Sequence, residues 1–361
     1  MIRLADVLVN PEILNKLSPL EISDIVSQAR YQNMLSQLHY ICKDNEVWES
    51  LPPRLKTHLV ASTKGYISQQ TQLRAEAVEF GQLLQPLGVS WVYLKGSAYH
   101  LKEMDNFKGR VMADIDILVP EKDLPSVEAV LVSNGWVQSH IDDYDDKFYR
   151  EWSHEIPPLR HLERRTELDL HFNILPKTLK ESPNSSVLIQ NSIAINESAP
   201  NARVLSLQAM AIHSSIHLFY ESEFQKGFRD LFDLYLLLSG KSEQFWHCLL
   251  DLQSQLGNGD SMFYALRYCK LTFGLNVPGF VTEFYSAYKP NSIKLLLADF
   301  AFRRVFTYPY PPHRLPLHHL AESMLYLRGH IKRMPLQLLI PHLVKKTIKS
   351  FKKEEEQGLI F

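Results

Sequence analysis

The spacing of apolar positions along the chain changes character twice. From Ser18 to Asn45, Leu20, Ile22, Ile25, Val26, Met34, Leu35, Leu38 and Ile41 recur at helical intervals until Pro52-Pro53 interrupts them. A period near 3.6 predicts helices here. A second helical stretch is expected from Leu55 to about Leu84. It starts after the proline pair, where a missing N–H is tolerated, and stops before Pro86 and Gly88.

At Gly88 the texture shifts. VSWVYL reads as a short buried strand, the stretch opening at Ser97 as a helix, and ADIDILV (113–119) as a strand. EKDLPSVEAVLVSNGW reads as a helix closed by Gly135, and HEIPPLRHLE and TELDLHF as further strands. Between Pro176 and Pro200 the chain is rich in Ser, Asn and Pro, which suits a surface loop or crossing segment. After Leu205 the helical period returns through SLQAMAIHSSIHLFY, RDLFDLYLLL and SEQFWHCLLDLQSQL, with a proline-rich break at TYPYPPHRLP. The expected organisation is an N-terminal helical region (1–85), an α/β core built on a sheet (86–200) and a C-terminal helical region with a basic tail (201–361).

Composition narrows the class. With 361 residues, 45% hydrophobic and 22% charged, the chain is globular rather than disordered or fibrous. The 39 Lys and Arg nearly balance the 40 Asp and Glu, so any attraction to nucleic acid or an anionic membrane must be local. Cys42, Cys248 and Cys269 lack paired spacing and read as reduced thiols. No secretory leader and no run of about 18 apolar residues is evident, so a cytoplasmic location is expected.

Leu94–Val119, LKGSAYHLKEMDNFKGRVMADIDILV, carries most of the candidate chemistry. A strand ends in Lys95-Gly96-Ser97 and turns into a helix, a geometry that lets backbone N–H groups approach an anion; such turns also occur for purely geometric reasons. Asp114 and Asp116 sit two apart on an apolar strand, so both carboxylates leave on one face. Two like charges this close repel unless a cation sits between them, and Mg²⁺ takes carboxylate oxygens readily. The simpler reading is a solvated acidic edge. In ELDLHF, Glu167, Asp169 and His171 share one strand face. If that strand lies beside the first, a third acid joins a cluster able to hold two metal ions. The spacing leaves open whether Glu167 or Asp169 is the ligand.

The order Gly96-Ser97, Asp114-Ile115-Asp116, then Asp169 resembles the signature of the nucleotidyltransferase (polymerase β-like) superfamily. Within it, YLKGSA, GRVMADIDILV and ELDLHF are similar to a bacterial family known only as nucleotidyltransferases, over roughly residues 75 to 240. The resemblance implies an α/β (α+β) nucleotidyltransferase core with a mixed sheet, flanked by helical regions. It implies transfer of a nucleoside monophosphate from an NTP to a hydroxyl acceptor, with two Mg²⁺ (or Mn²⁺) ions. Asp114 and Asp116 would bind both ions, Asp169 would ligate the second, and Gly96 and Ser97 would hold the triphosphate. Sixteen residues separate Ser97 from Asp114, more than the superfamily's common spacing.

Lys95 and Arg110 flank these motifs and suit phosphate charge, or pairing with a nearby acid. KGFRDLFDLYLLL resembles a helix of abortive-infection nucleotidyltransferase toxins. That resemblance makes Lys226, Arg229 and Asp230 candidates for nucleotide contact, against an Arg-Asp network that orients the helix. His213 and His217 lie four apart on one helix face, without the glutamate of a zinc-protease motif. From Arg328 to Lys353 there are eight Lys or Arg and no acid, a basic amphipathic stretch suited to RNA, an acidic partner or a membrane surface, or simply to solvent. An inactive binding or regulatory module on the same core, and a toxin acting on tRNA ends, are the alternatives to a metabolic transferase. The acceptor (small molecule, sugar, protein or RNA) is marked by no motif.

Overall fold

The computed structural model describes residues 2–138, 143–179, 182–197, 199–334 and 337. Four helices lead in: α1 (Leu4–Val9), α2 (Pro19–Tyr31), α3 (Leu35–Asp44) and the long α4 (Pro53–Leu84). The start of α2 is set by Ser18, whose hydroxyl accepts from the Glu21 N–H while the Glu21 carboxylate bonds back to Ser18. Proline at the first position of α2 and of α4 fits the turn where a helix needs no N–H.

The sheet follows: β1 (Trp91–Tyr93), α5 (Lys95–Leu101), β2 (Ile115–Leu118), α6 (Leu124–Ser133), β3 (Trp136–Gln138), α7 (Asp143–Trp152), β4 (Leu159–His161), β5 (Glu167–His171), α8 (Ser185–Gln190), β6 (Ser192–Ala194) and β7 (Ala202–Leu205). Its order is β3-β4-β5-β2-β1-β7-β6, with β1 antiparallel to β2 and parallel to β7, and β2 parallel to β5. The sheet is therefore mixed, as expected. Its central strands are buried throughout β1 and β2, which accounts for their nearly continuous apolar sequence.

Seven further α-helices follow among the described residues: α9 (Leu207–Tyr220), α10 (Gly227–Leu238), α11 (Glu243–Leu256), α12 (Gly259–Phe273), α13 (Gly279–Ser286), α14 (Ser292–Thr307) and α15 (His318–Arg333). α9 is wrapped by α10, α11 and α12 and is buried nearly all round, so its sequence lacks a polar face. One apolar core runs from Leu4 through the sheet to Leu325, and α1 packs against α12.

The segment 176–200, expected to be a loop or crossing segment, contains α8 and β6. β6 pairs antiparallel with β7, and β7 lies next to the central β1. Three-residue strands leave too little alternation to register in the sequence. α7 likewise went without a sequence signal. Most of the basic stretch lies outside the described residues. The part that is described turns inward: Arg328 donates to the Phe219 carbonyl, Lys332 pairs with Asp260, and Arg333 with Glu221. No helix of the described residues is long and apolar enough to cross a membrane.

Candidate active site

Backbone pairing brings the acids together. Leu94 N–H bonds to the Asp116 carbonyl, tying the end of β1 to the start of β2. In the parallel β2–β5 ladder Asp116 stands opposite Asp169. Side chains in register on parallel strands leave on the same face about 4.8 Å apart, so the third acid reaches the Asp114-Ile115-Asp116 pair. Glu167, two residues earlier on β5, is exposed and pairs through its backbone with Arg160 of β4. It does not line the cavity.

Asp114 sits just before β2, at the end of a loop held from outside the sheet. Gln69 of α4 donates to the Met112 carbonyl at 2.7 Å and accepts from the Met112 N–H at 3.1 Å. Gly109, at φ +82°, lies so close to α3 that a Cβ there would meet the Ser36 carbonyl oxygen at 2.3 Å. The long spacing between Ser97 and Asp114 is thus taken up by α5, a 3-10 turn (Asp105–Phe107) and this clamped loop.

The acids differ in electrostatics. Asp116 is 2% exposed, and burial alone would raise its pKa. Lys95 reverses that, its Nζ donating to Asp116 Oδ1 at 2.7 Å, and His171 Nε2 lies 3.1 Å from the same oxygen. Asp116 is therefore held ionised. Burial, then the neighbouring Asp116, raises Asp114. Burial, then Asp116 and Glu155, pushes Asp169 up to about 7. No described side chain donates a hydrogen bond to Asp114 or Asp169, and both face the cavity. These are free oxygen donors beside a structurally engaged one, a set that fits a hard divalent cation such as Mg²⁺ or Mn²⁺. The ligand atoms of Asp116, Asp169 and His171 all lie within 4.8 Å of one another.

A cavity of about 490 Å³ opens over the cluster. Of the residues singled out in the sequence, Lys95, Gly96, Arg110, Asp114, Asp116, Asp169, His171, His217, Lys226, Arg229 and Asp230 line it. Ser97 does not. Its hydroxyl is 1% exposed and donates to the Leu94 carbonyl at 2.7 Å, so it shapes the turn from inside. Gly96 is needed for a different neighbour: a Cβ there would lie 2.6 Å from an Arg110 guanidinium nitrogen. Arg110 is buried, its Nε donating to Asp233 at 2.6 Å, and Arg229 pairs with Asp230 at 3.2 Å and donates to the Val111 carbonyl. The α10 segment therefore both anchors the 110–111 backbone and forms a cavity wall of alternating charge.

Some cavity residues, such as Glu155, His154 and those of α15, escaped the sequence reading, whereas others were noted there without a chemical role. Glu155 Oε2 lies 3.3 Å from His171 Nδ1, and the backbones of the two residues form an isolated bridge. His154 lies beside them, held neutral by burial and then by His171. Asp233 is 3% exposed with Oδ1 unpartnered, and burial pushes it up to about 6 despite Arg110. Burial holds His217 down near 4 and His213 well below its usual range, so this pair packs as neutral imidazoles. Tyr326, His330 and Arg333 of α15 close the far side. His154 and Glu155 open HEIPPLRHLE, expected as a strand with no chemical role marked, and α15 is distant in sequence; only folding assembles them.

The sequence pattern of the uncharacterised nucleotidyltransferase family matches residues 18–274. The chain belongs to that family. The matched region takes in α2 to α12, more than the stretch that carries the sequence resemblance, and includes the N-terminal helices that clamp the Asp114 loop. α15 lies beyond it. No curated protein and no solved structure matches the chain.

Proposed function

We propose that the protein transfers a nucleoside monophosphate from an NTP to a hydroxyl acceptor in a reaction dependent on Mg²⁺ or Mn²⁺. The observation that carries this reading is the in-register pairing of Asp116 with Asp169 beside Asp114, all opening on one cavity with Lys95, Lys226 and Arg229. In this reading Asp114, Asp116 and Asp169 hold the metal, and Lys95, Gly96, Arg110, Arg229 and Asp230 make the nucleotide wall. A divalent ion bound there supplies positive charge to the phosphoryl group during transfer. Lys95 and Lys226 add point charges to the triphosphate, and Arg110, locked to Asp233, fixes the wall rather than reaching out. Asp169, which opens on the same cavity, takes the proton of the acceptor hydroxyl. The acceptor oxygen then bonds to the α-phosphorus, and the bond to pyrophosphate breaks.

All three acids are in place, which favours an active centre over a binding module on a spent core. The test is incubation with each α-³²P-labelled NTP and Mg²⁺, alone and with cell lysate. Label on protein, RNA or a small molecule, absent in Asp114→Ala, is the expected result and identifies the acceptor class. Nucleotide binding without label on any acceptor would sink the transferase reading.

A further inference from the structure

Resting on the metal and nucleotide reading above, the geometry around Asp116 bears on how many ions the centre takes. A two-ion centre needs one carboxylate able to face a cation with each oxygen. Here Asp116 alone has an acid on both sides, with Asp114 before it in the chain and Asp169 across the ladder. Yet Asp116 Oδ1 already receives the Lys95 ammonium at 2.7 Å and faces His171 Nε2 at 3.1 Å. The second nitrogen of His171 is taken up by Glu155 at 3.3 Å, so the imidazole is fixed at both ends.

Lys95 is not a passing surface cation. It is the first residue of α5 and holds φ at +47°, a left-handed conformation uncommon for a residue with a side chain. Such strain persists only where its surroundings enforce it. The preceding residue, Leu94, donates its N–H to the carbonyl of Asp116, the residue whose carboxylate Lys95 grips. Turn and ammonium are thus both fixed to Asp116. A divalent ion on the same oxygen would sit against an ammonium in a buried setting, where like charges are poorly screened.

We propose that this centre takes one divalent ion, held by Asp169 and the free side of Asp116 with Asp114 lining the same cavity, and that the Lys95 ammonium fills the second cationic position. Lys95 then acts on the nucleotide as a fixed charge that needs no second ion from solution.

The test counts bound Mn²⁺ by the loss of the free-ion electron paramagnetic resonance signal, with Mn²⁺ alone and with α,β-methylene analogues of the four NTPs. The wild-type chain is expected to hold one Mn²⁺ per analogue-bound chain, Lys95→Arg one, and Lys95→Met two with a new Mn–Mn dipolar coupling. Two ions in the wild type, or one in a folded Lys95→Met, overturns the proposal. If Lys95→Met fails to fold, the wild-type count with analogue still decides, two ions refuting the single-ion centre and one supporting it. Failure of every analogue to bind overturns the nucleotide reading instead, and the count with Mn²⁺ alone then decides the one-ion claim separately.

Discussion

Asp169→Asn should stabilise the metal-free protein, increasingly as pH rises from about 4 to 7 and fully above that. Asp169 has a pKa of about 7 in the folded chain, against about 3.9 for an unperturbed aspartate. A raised carboxylate pKa means the folded state binds more protons than the unfolded one between those values, so stability falls as pH rises through the window. A shift of about three units corresponds to roughly 4 kcal/mol above pH 7. Access of the carboxylate to the cavity and its interplay with Asp116 reduce the expected figure to about 2 kcal/mol. Asparagine imitates the protonated form and removes the penalty. For 361 residues, an unfolding entropy of about 2.1 cal/mol/K per residue converts this to a rise of roughly 3 °C in Tm. Calorimetry in EDTA from pH 4.5 to 8 should show Asn above wild type by that margin at pH 8, with the gap shrinking steadily below pH 7. Mg²⁺ or Mn²⁺ should close the gap at pH 8 by stabilising the wild type alone. A gap independent of pH, or a variant less stable than wild type at pH 8 in EDTA, refutes the reasoning.

The acids should not respond alike to alanine. Asp114→Ala is expected to abolish label transfer with Tm within about 1 °C of wild type, whereas Asp116→Ala leaves the Lys95 ammonium half-buried without its partner and should cost about 3–5 kcal/mol in denaturant titration. Equal stability of the two variants would show that the Lys95–Asp116 pair is not structural. Gly109→Ala combines a positive φ with a clash against the Ser36 carbonyl, so we expect a loss of about 2–4 kcal/mol on urea unfolding and weaker Mn²⁺ binding as the Asp114 loop shifts. Unchanged Mn²⁺ affinity in a folded Gly109→Ala would show that the α3 contact does not position the acids. Gly329→Ala would drive α15 from the Glu221–Ser222 backbone, which a Cβ would meet at 2.5 Å; KM should rise with kcat little changed if α15 only walls the cavity.

How far the sequence reached depends on the range of the forces involved. α4 was legible to within two residues at its start, because prolines fix helix ends locally. The strand over Ile115–Leu118 was legible within the expected 113–119 because its residues are apolar apart from Asp116. β6 and α8 were not, because a three-residue strand is defined by the partner it pairs with rather than by its own alternation.

Within the site, the same division holds. The chain's own order supplied the family resemblance and offered the three acids as candidates, although Asp114 lies in the bend before β2 rather than on the strand. That Asp169 rather than Glu167 stands opposite Asp116 follows from the register of β5 against β2, a contact between residues more than fifty positions apart. The inward turn of Ser97, the locking of Arg110 to Asp233, and the grip of Lys95 on Asp116 likewise came only from the tertiary structure. Each is a choice among polar partners that the sequence offers in number. Burial makes that choice, because an ion or hydroxyl removed from water must take the nearest partner the fold presents.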